Sequence, residues 1–178
     1  MKRFGVVLTL LLSPTASAQT SMQVPVLQAA TLIERAQNSL LIYAPTMQNS
    51  DVTSAYRKAL VRQVATVIIT TPQAVQKGGR NERVVQVAFA GYDTQVAKLY
   101  APKITNAAES VPFVVVDEAF ALVGTNLTQV PLPGDPVSVS LVRDPKVVAS
   151  LAQWVKSNAR ANPPVDLQQW LAQRLKRP

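Results

Sequence analysis

The stretch Val111 to Thr128, VPFVVVDEAFALVGTNLT, holds the densest group of residues able to do chemistry in this 178-residue chain. Asp117 and Glu118 lie between two apolar runs, Phe113 to Val116 and Ala119 to Val123, and Gly124-Thr125-Asn126 closes the second run. A carboxylate, a hydroxyl and a carboxamide at the rim of a sheet can hydrogen-bond a phosphate or another polar group. The same residues suit a plainer role, with Asp117–Glu118 as a hairpin turn and Thr125 and Asn126 satisfying backbone groups. A second candidate is Lys77-Gly78-Gly79-Arg80, followed by Arg83. Adjacent glycines let backbone amides approach a phosphate while basic side chains hold its charge. That segment lacks P-loop spacing and also reads as a solvated turn.

Two absences limit the chemistry. The chain has no histidine, and so lacks the commonest general acid/base and the commonest metal ligand. It has no cysteine, which excludes disulfides, thiol nucleophiles and thiolate metal sites. Among the ten acidic residues, no pair shows metal-ligand or acid/base spacing beyond Asp117–Glu118. Neighbours on a strand point to opposite faces, so that pair converges only inside a turn. No cofactor or metal is expected.

The elements that must position these groups follow from periodicity. Val26, Ala30, Ile33, Ala36 and Leu40 fall at helical spacing and predict a helix over about 25–38, after a frayed lead-in from Gln19 to Gln23. Leu40 to Ala44 reads as a buried strand ended by Pro45. Ser50 or Asp51 can cap a helix carrying Val52, Ala55, Tyr56, Ala59 and Leu60, and Thr66 to Thr70 is a second buried strand. Arg83 to Ala90 alternates and predicts a third strand, with a connector from Gly91 and mostly loop from Leu99 to Ser110. The two apolar runs around Asp117 form a buried hairpin at the centre of the sheet. Val137 to Val142 is a half-buried strand, and Asp144 with Pro145 opens a helix that Asn158 to Pro164 breaks. Asp166 opens a last basic helix with Leu167, Trp170, Leu171 and Leu175 on one stripe. Helix, strand, helix, strand in the first half is a parallel α/β pattern.

Residues 1–18 read as a cleaved signal peptide: Lys2 and Arg3, the apolar run Val6 to Leu12, then Ala16-Ser17-Ala18. Export to an envelope space, such as the periplasm, or to the medium follows, and no later run is long enough for a transmembrane helix. Sixteen of the 18 Lys and Arg lie beyond residue 18, against all ten Asp and Glu, leaving a charge of +6. That excess favours polyanions such as nucleic acid, anionic envelope polymers or lipid headgroups. The expected division is 1–18 signal peptide, 19–160 folded domain and 161–178 a basic amphipathic helix packed on it.

This order of elements resembles one repeat of the phospholipase D superfamily over about residues 26–160. Leu32 to Ile42 is similar to the family's opening helix and strand, and Tyr56-Arg57-Lys58-Ala59-Leu60 with Ala65 to Ile69 to the next pair. The family signature is His-x-Lys-x4-Asp-x6-Gly-Ser, usually followed by Asn. Aligned on Asp117, six residues precede Gly124 as the family requires; Thr125 stands for the serine and Asn126 for the asparagine, one residue early. Counting back, Ser110 occupies the histidine position and Pro112 the lysine position. The resemblance implies an α/β phospholipase D-like single-repeat domain, a mixed and mostly parallel sheet with helices on both faces. In the family, two histidines attack phosphorus and protonate the leaving group while lysines hold the phosphate oxygens. A serine without a neighbouring base is a weak nucleophile, and proline offers no cation to the developing charge.

Three functions are compatible with these residues. The first is a non-catalytic exported domain binding a phosphate-bearing polyanion, nucleic acid foremost, through Asp117, Thr125, Asn126, Lys77, Arg80 and Arg83. The second is a structural or protein-interaction module without ligand, able to form homodimers as single-repeat members of the resembled family do. The third is a hydrolase using atypical residues.

Overall fold

The computed structural model describes residues 21–76, 82–103, 111–131, 134 and 137–175. The expected signal peptide, Lys77, Arg80 and Ser110 lie outside the described residues. The order is β1 (Ser21–Pro25), α1 (Val26–Glu34), β2 (Ser39–Tyr43), α2 (Ser50–Val61), β3 (Ala65–Ile69), α3 (Pro72–Val75), α4 (Arg83–Phe89) and β4 (Ala97–Tyr100). It continues with β5 (Phe113–Val116), β6 (Phe120–Val123), β7 (Ser138–Val142), α5 (Pro145–Ala161) and α6 (Leu167–Leu175).

The strands form one mixed sheet in the order β1-β7-β6-β5-β2-β3-β4, so the expected central hairpin β5–β6 is in place. The α/β class with helices on both faces holds, but the sheet is not mostly parallel. Only β2–β3 and β3–β4 run parallel, and the other four pairings are antiparallel. The reason is connectivity. A helix returns the chain between β2 and β3, which allows parallel pairing, whereas the tight turn at Asp117 forces β6 back along β5.

Alternate residues of each strand feed opposite layers. Leu40, Ile42, Ile68, Leu99, Val114, Val116, Leu122, Val139 and Leu141 pack with α1, α2 and α4. Leu41, Tyr43, Ile69, Phe113, Val115 and Ala121 pack under α5, which supplies Val148, Leu151, Ala152 and Val155. Trp154 of α5 meets Tyr43 edge-on at 5.2 Å and Phe113 at 5.8 Å. Apolar side chains fill both layers, so hydrophobic burial holds helices and sheet together.

Several sequence expectations are corrected. Arg83 to Ala90 is a helix, not a strand: Val85, Val87 and Phe89 alternate in the sequence, but the buried residues are Val84, Val85, Val87 and Ala88, the spacing of one helical face. The strand position beside β3 belongs to Ala97–Tyr100, where Leu99 points inward and Lys98 outward on the sheet edge. The lead-in at Gln23 is an edge strand, its amide bonded to Ser138 and Ser140 of β7. The cap of α2 is Asn49, not the expected Ser50 or Asp51 one and two residues later, and its side chain accepts the N–H groups of Asp51 and Val52. Asn158 does not break α5; its side chain donates to the Trp154 carbonyl and the helix continues to Ala161. Asp144 caps α5 with Pro145 in the first turn, as expected.

The last helix touches the layer of α1, α2 and α4 through its first turn. Leu167 is buried, and the Trp170 indole donates to the Val75 carbonyl at 2.9 Å and lies against Phe89. Leu171 and Leu175, expected on the same buried stripe, are exposed. Just before it, the Val165 N–H bonds the Leu99 carbonyl on the outer edge of β4.

Gly91, after α4, lies in close contact with β4 and α2. A Cβ there would lie 2.8 Å from both Ala97 Cβ and Leu60 Cδ2. Gly91→Ala is therefore expected to destabilise the fold by about 1–3 kcal/mol through overpacking, read as a lower urea midpoint at unchanged slope.

Candidate functional site

Asp117 and Glu118 form the tip of the central hairpin. The Ala119 N–H closes the turn on the Val116 carbonyl at 2.9 Å, and both residues are left-handed, with φ of +52° and +54°. Two consecutive positive φ values match the twist of the flanking strands, which is why hairpins favour such turns, though usually with Gly or Asn. The side chains compensate for the strain. The Asp117 carboxylate accepts the N–H groups of Gln37 at 3.0 Å, Asn38 at 2.7 Å and Ser39 at 2.9 Å, and its own N–H donates to the Ser39 carbonyl. Glu118 pairs with Lys156 of α5 at 2.8 Å. Partial burial alone would push the Asp117 pKa up, but the Ser39, Gln37 and Asn38 amides together hold it below the ordinary carboxylate value. The carboxylate is thus a fastener between the hairpin tip and the chain entering β2.

The other end of the hairpin is built differently. The Gly124 N–H donates to the carbonyl of Pro112, which is buried. Gly124 has φ +151°, and Thr125–Leu127 then form a single 3-10 turn. The Asn126 side chain donates to the Ser138 carbonyl at 2.9 Å, while its own carbonyl accepts the Asn49 side chain at 2.8 Å. The Thr128 carbonyl accepts the N–H groups of Gln48 and Asn49 and the Thr46 hydroxyl. Arg83 reaches the same loop, donating to the Gln48 carbonyl at 2.9 Å. Thr125 is exposed, and its hydroxyl makes no hydrogen bond among the described residues.

The structure therefore gathers Thr125, Asn126 and Arg83 at the end where β2, β3 and β6 finish, and it does not bring Asp117 to them. Phe113↔Val123 and Val116↔Phe120 are the two ends of the hairpin ladder. Asp117 lies beyond the second, about 13 Å along the strands from the Gly124 end. Its carboxylate is already filled by backbone donors, so a joint pocket of Asp117, Thr125 and Asn126 does not form. Asn49, Thr46, Gln48 and Thr128 belong to this end and escaped the sequence reading. Their one signal was Asn49, an asparagine directly before an amphipathic helix. Among the described residues, no group of three or more Asp and Glu is placed to hold a metal ion. What the end offers is hydroxyl, amide and guanidinium donors, suited to holding an anion.

Because the folded pKa of Asp117 is depressed, its contribution is complete above the unfolded value of about 4 and disappears as pH falls through the folded value. Asp117→Asn is expected to cost about 1–2 kcal/mol at pH 7, the partly solvated amides limiting the loss. Urea unfolding at pH 7 and pH 3 checks this: the gap between wild type and variant should narrow at the lower pH. An equal gap at both would remove the carboxylate from this role.

No protein-family profile matches the chain, and no curated protein sequence matches it. Solved structures do. Nuc from Salmonella typhimurium, a phospholipase D family member, superposes with a TM-score of 0.63 at 14% identity, over 82% of this chain and 95% of its own. NucT from Helicobacter pylori gives 0.56 at 11% identity over 82% of this chain and 98% of its own. TrmBL2, an archaeal chromatin protein with a novel mode of DNA binding, gives 0.57 at 17% identity; the match takes in 88% of this chain and 58% of TrmBL2. With its central antiparallel hairpin and helices on both faces of a mixed sheet, the chain has the phospholipase D-like fold.

Proposed function

We propose that this protein is an exported, non-catalytic phospholipase D-like domain that binds a phosphate-bearing polyanion, nucleic acid foremost. The observation that carries the reading is the use of Asp117: the one acidic residue of the signature spends its carboxylate on three backbone amides, far from Thr125 and Asn126. Around it the chemistry thins further. Ser110 and Pro112 stand where the resembled family has histidine and lysine, and the chain has no histidine to take over from elsewhere. Donors for an anion remain at the Thr125 end, and the chain beyond the expected signal peptide keeps its charge of +6. The DNA binding of TrmBL2, a chromatin protein whose structure is similar to this one, supports nucleic acid as the first ligand to try. Export rests on the basic start, the apolar run and the Ala16-Ser17-Ala18 site.

Titration of the purified protein with labelled single- and double-stranded DNA at two salt concentrations tests this. Affinity should fall steeply with salt, as expected when phosphates are neutralised by Lys and Arg, and the DNA should stay intact. Absence of binding at low salt would sink the reading, and DNA cleavage by the protein would overturn its non-catalytic half.

A further inference from the structure

We infer that nucleic acid is held mainly on the α1–α2 surface, at the opposite end of the sheet from Thr125 and Asn126, with Arg35, Arg57 and Arg62 as the phosphate contacts. The inference rests on the polyanion-binding reading and says where that binding occurs.

Charge places it there. At the Thr125 end the described cations are Arg83 and Lys103, three residues past β4, and they are offset by Asp51 and Glu82. At the other end, α1 finishes and α2 finishes side by side. Arg35 follows α1, and Arg57, Lys58 and Arg62 lie along and just past the last turns of α2. The acid among them is Glu34, which bonds Lys58 at 3.1 Å. Asp117 is near, since it bonds the Gln37 amide, and its N–H partners are neutral so it keeps its charge, whereas Glu118 is met by Lys156; Arg35, Arg57, Lys58 and Arg62 still outnumber Glu34 and Asp117. The local excess is therefore positive.

Geometry adds to charge. The Arg62 guanidinium donates to the carbonyls of Lys58 at 3.3 Å, Ala36 at 2.9 Å and Glu34. Those are carbonyl oxygens at the ends of α1 and α2, with only partial negative charge, so the group is fixed in place with no carboxylate partner among the described residues. A cation already ordered loses less entropy on meeting a phosphate than a free side chain does. Beside it lies an open depression of about 580 Å³, lined by Glu34, Arg35, Ala36, Gln37, Arg62 and Val64. Arg35, which lines that depression, and Arg57, exposed on α2 outside its lining, make no side-chain hydrogen bond among the described residues, so both are available to a strand on this surface. Aromatic side chains do not line it, which fits backbone phosphate contact rather than base stacking.

The test compares two double variants with equal charge change: Arg35→Glu with Arg57→Glu on this surface, and Lys146→Glu with Arg160→Glu on α5. The first pair should weaken DNA binding at least tenfold at low salt and lower the salt slope by about two, one for each phosphate no longer neutralised. The second should change affinity by less than about threefold, the part that follows from net charge. Arg35→Gln with Arg57→Gln should show the same ordering with a smaller loss, and thermal melting should match wild type in each case. Equal losses in both Glu pairs would reduce the effect to net charge and overturn the assignment. Wild-type affinity in Arg35→Glu/Arg57→Glu, with loss in Arg83→Ala instead, would move the contact to the Thr125 end. Failure of the wild-type protein to bind DNA would remove the underlying reading along with this one.

Discussion

Three backbone amides converging on one carboxylate hold this fold in register. Asp117 ties the tip of the central hairpin to the chain between α1 and β2, and its own N–H extends the β5–β2 ladder by one bond to Ser39. A two-residue left-handed turn made of Asp and Glu is strained on its own, since neither residue has glycine's freedom at positive φ. Each side chain offsets part of that strain through a partner on a different face of the sheet. Asp117 reaches the entry to β2 beneath α1, and Glu118 reaches Lys156 on α5. The hairpin tip is thus where both helical layers are referenced to the same two strands.

What the sequence made legible follows from this division of labour. Apolar runs between turn residues identified β2, β3, β5 and β6, whose burial leaves little polar interruption, and alternation identified the half-buried β7. Asp144-Pro145 announced α5 by local capping chemistry alone. The misreadings arose where local pattern is degenerate. Val85, Val87 and Phe89 alternate while Val84, Val85, Val87 and Ala88 trace a helical face, and the deciding fact is that β4 occupies the strand position next to β3. The edge strand at Ser21–Pro25 exists only because β7 offers a free edge, and no residue of SMQVP signals that. The direction of strand pairing was hidden for the same reason, since hydrophobic runs show burial but not what lies beside them.

The candidate site was legible as a set of residues but not as a place. Asp117, Thr125 and Asn126 lie close in sequence, and a hairpin four residues long on each side separates the first from the other two. Polar residues at opposite ends of such a hairpin answer to different neighbours: Asp117 to Gln37–Ser39, and Asn126 to Asn49 and Ser138. Asn49 could not be assigned to the site from sequence because its two jobs, capping α2 and holding the Thr125 loop, meet only in three dimensions.

Fold and chemistry therefore make separate demands on the signature stretch. Pro112 contributes a carbonyl to Gly124, a contact any residue can make through its backbone, so that hydrogen bond does not depend on which side chain stands there. Asp117 is different, because no backbone group can replace a carboxylate that accepts three N–H donors at once. Loss of the aspartate therefore loosens the link between the hairpin tip and the chain entering β2. The Gly124–Asn126 corner belongs with the aspartate, since its hydrogen bonds join β6 to the cap of α2 and the start of β7. Both ends of the stretch thus build the sheet, and that is why the fold is readable from it.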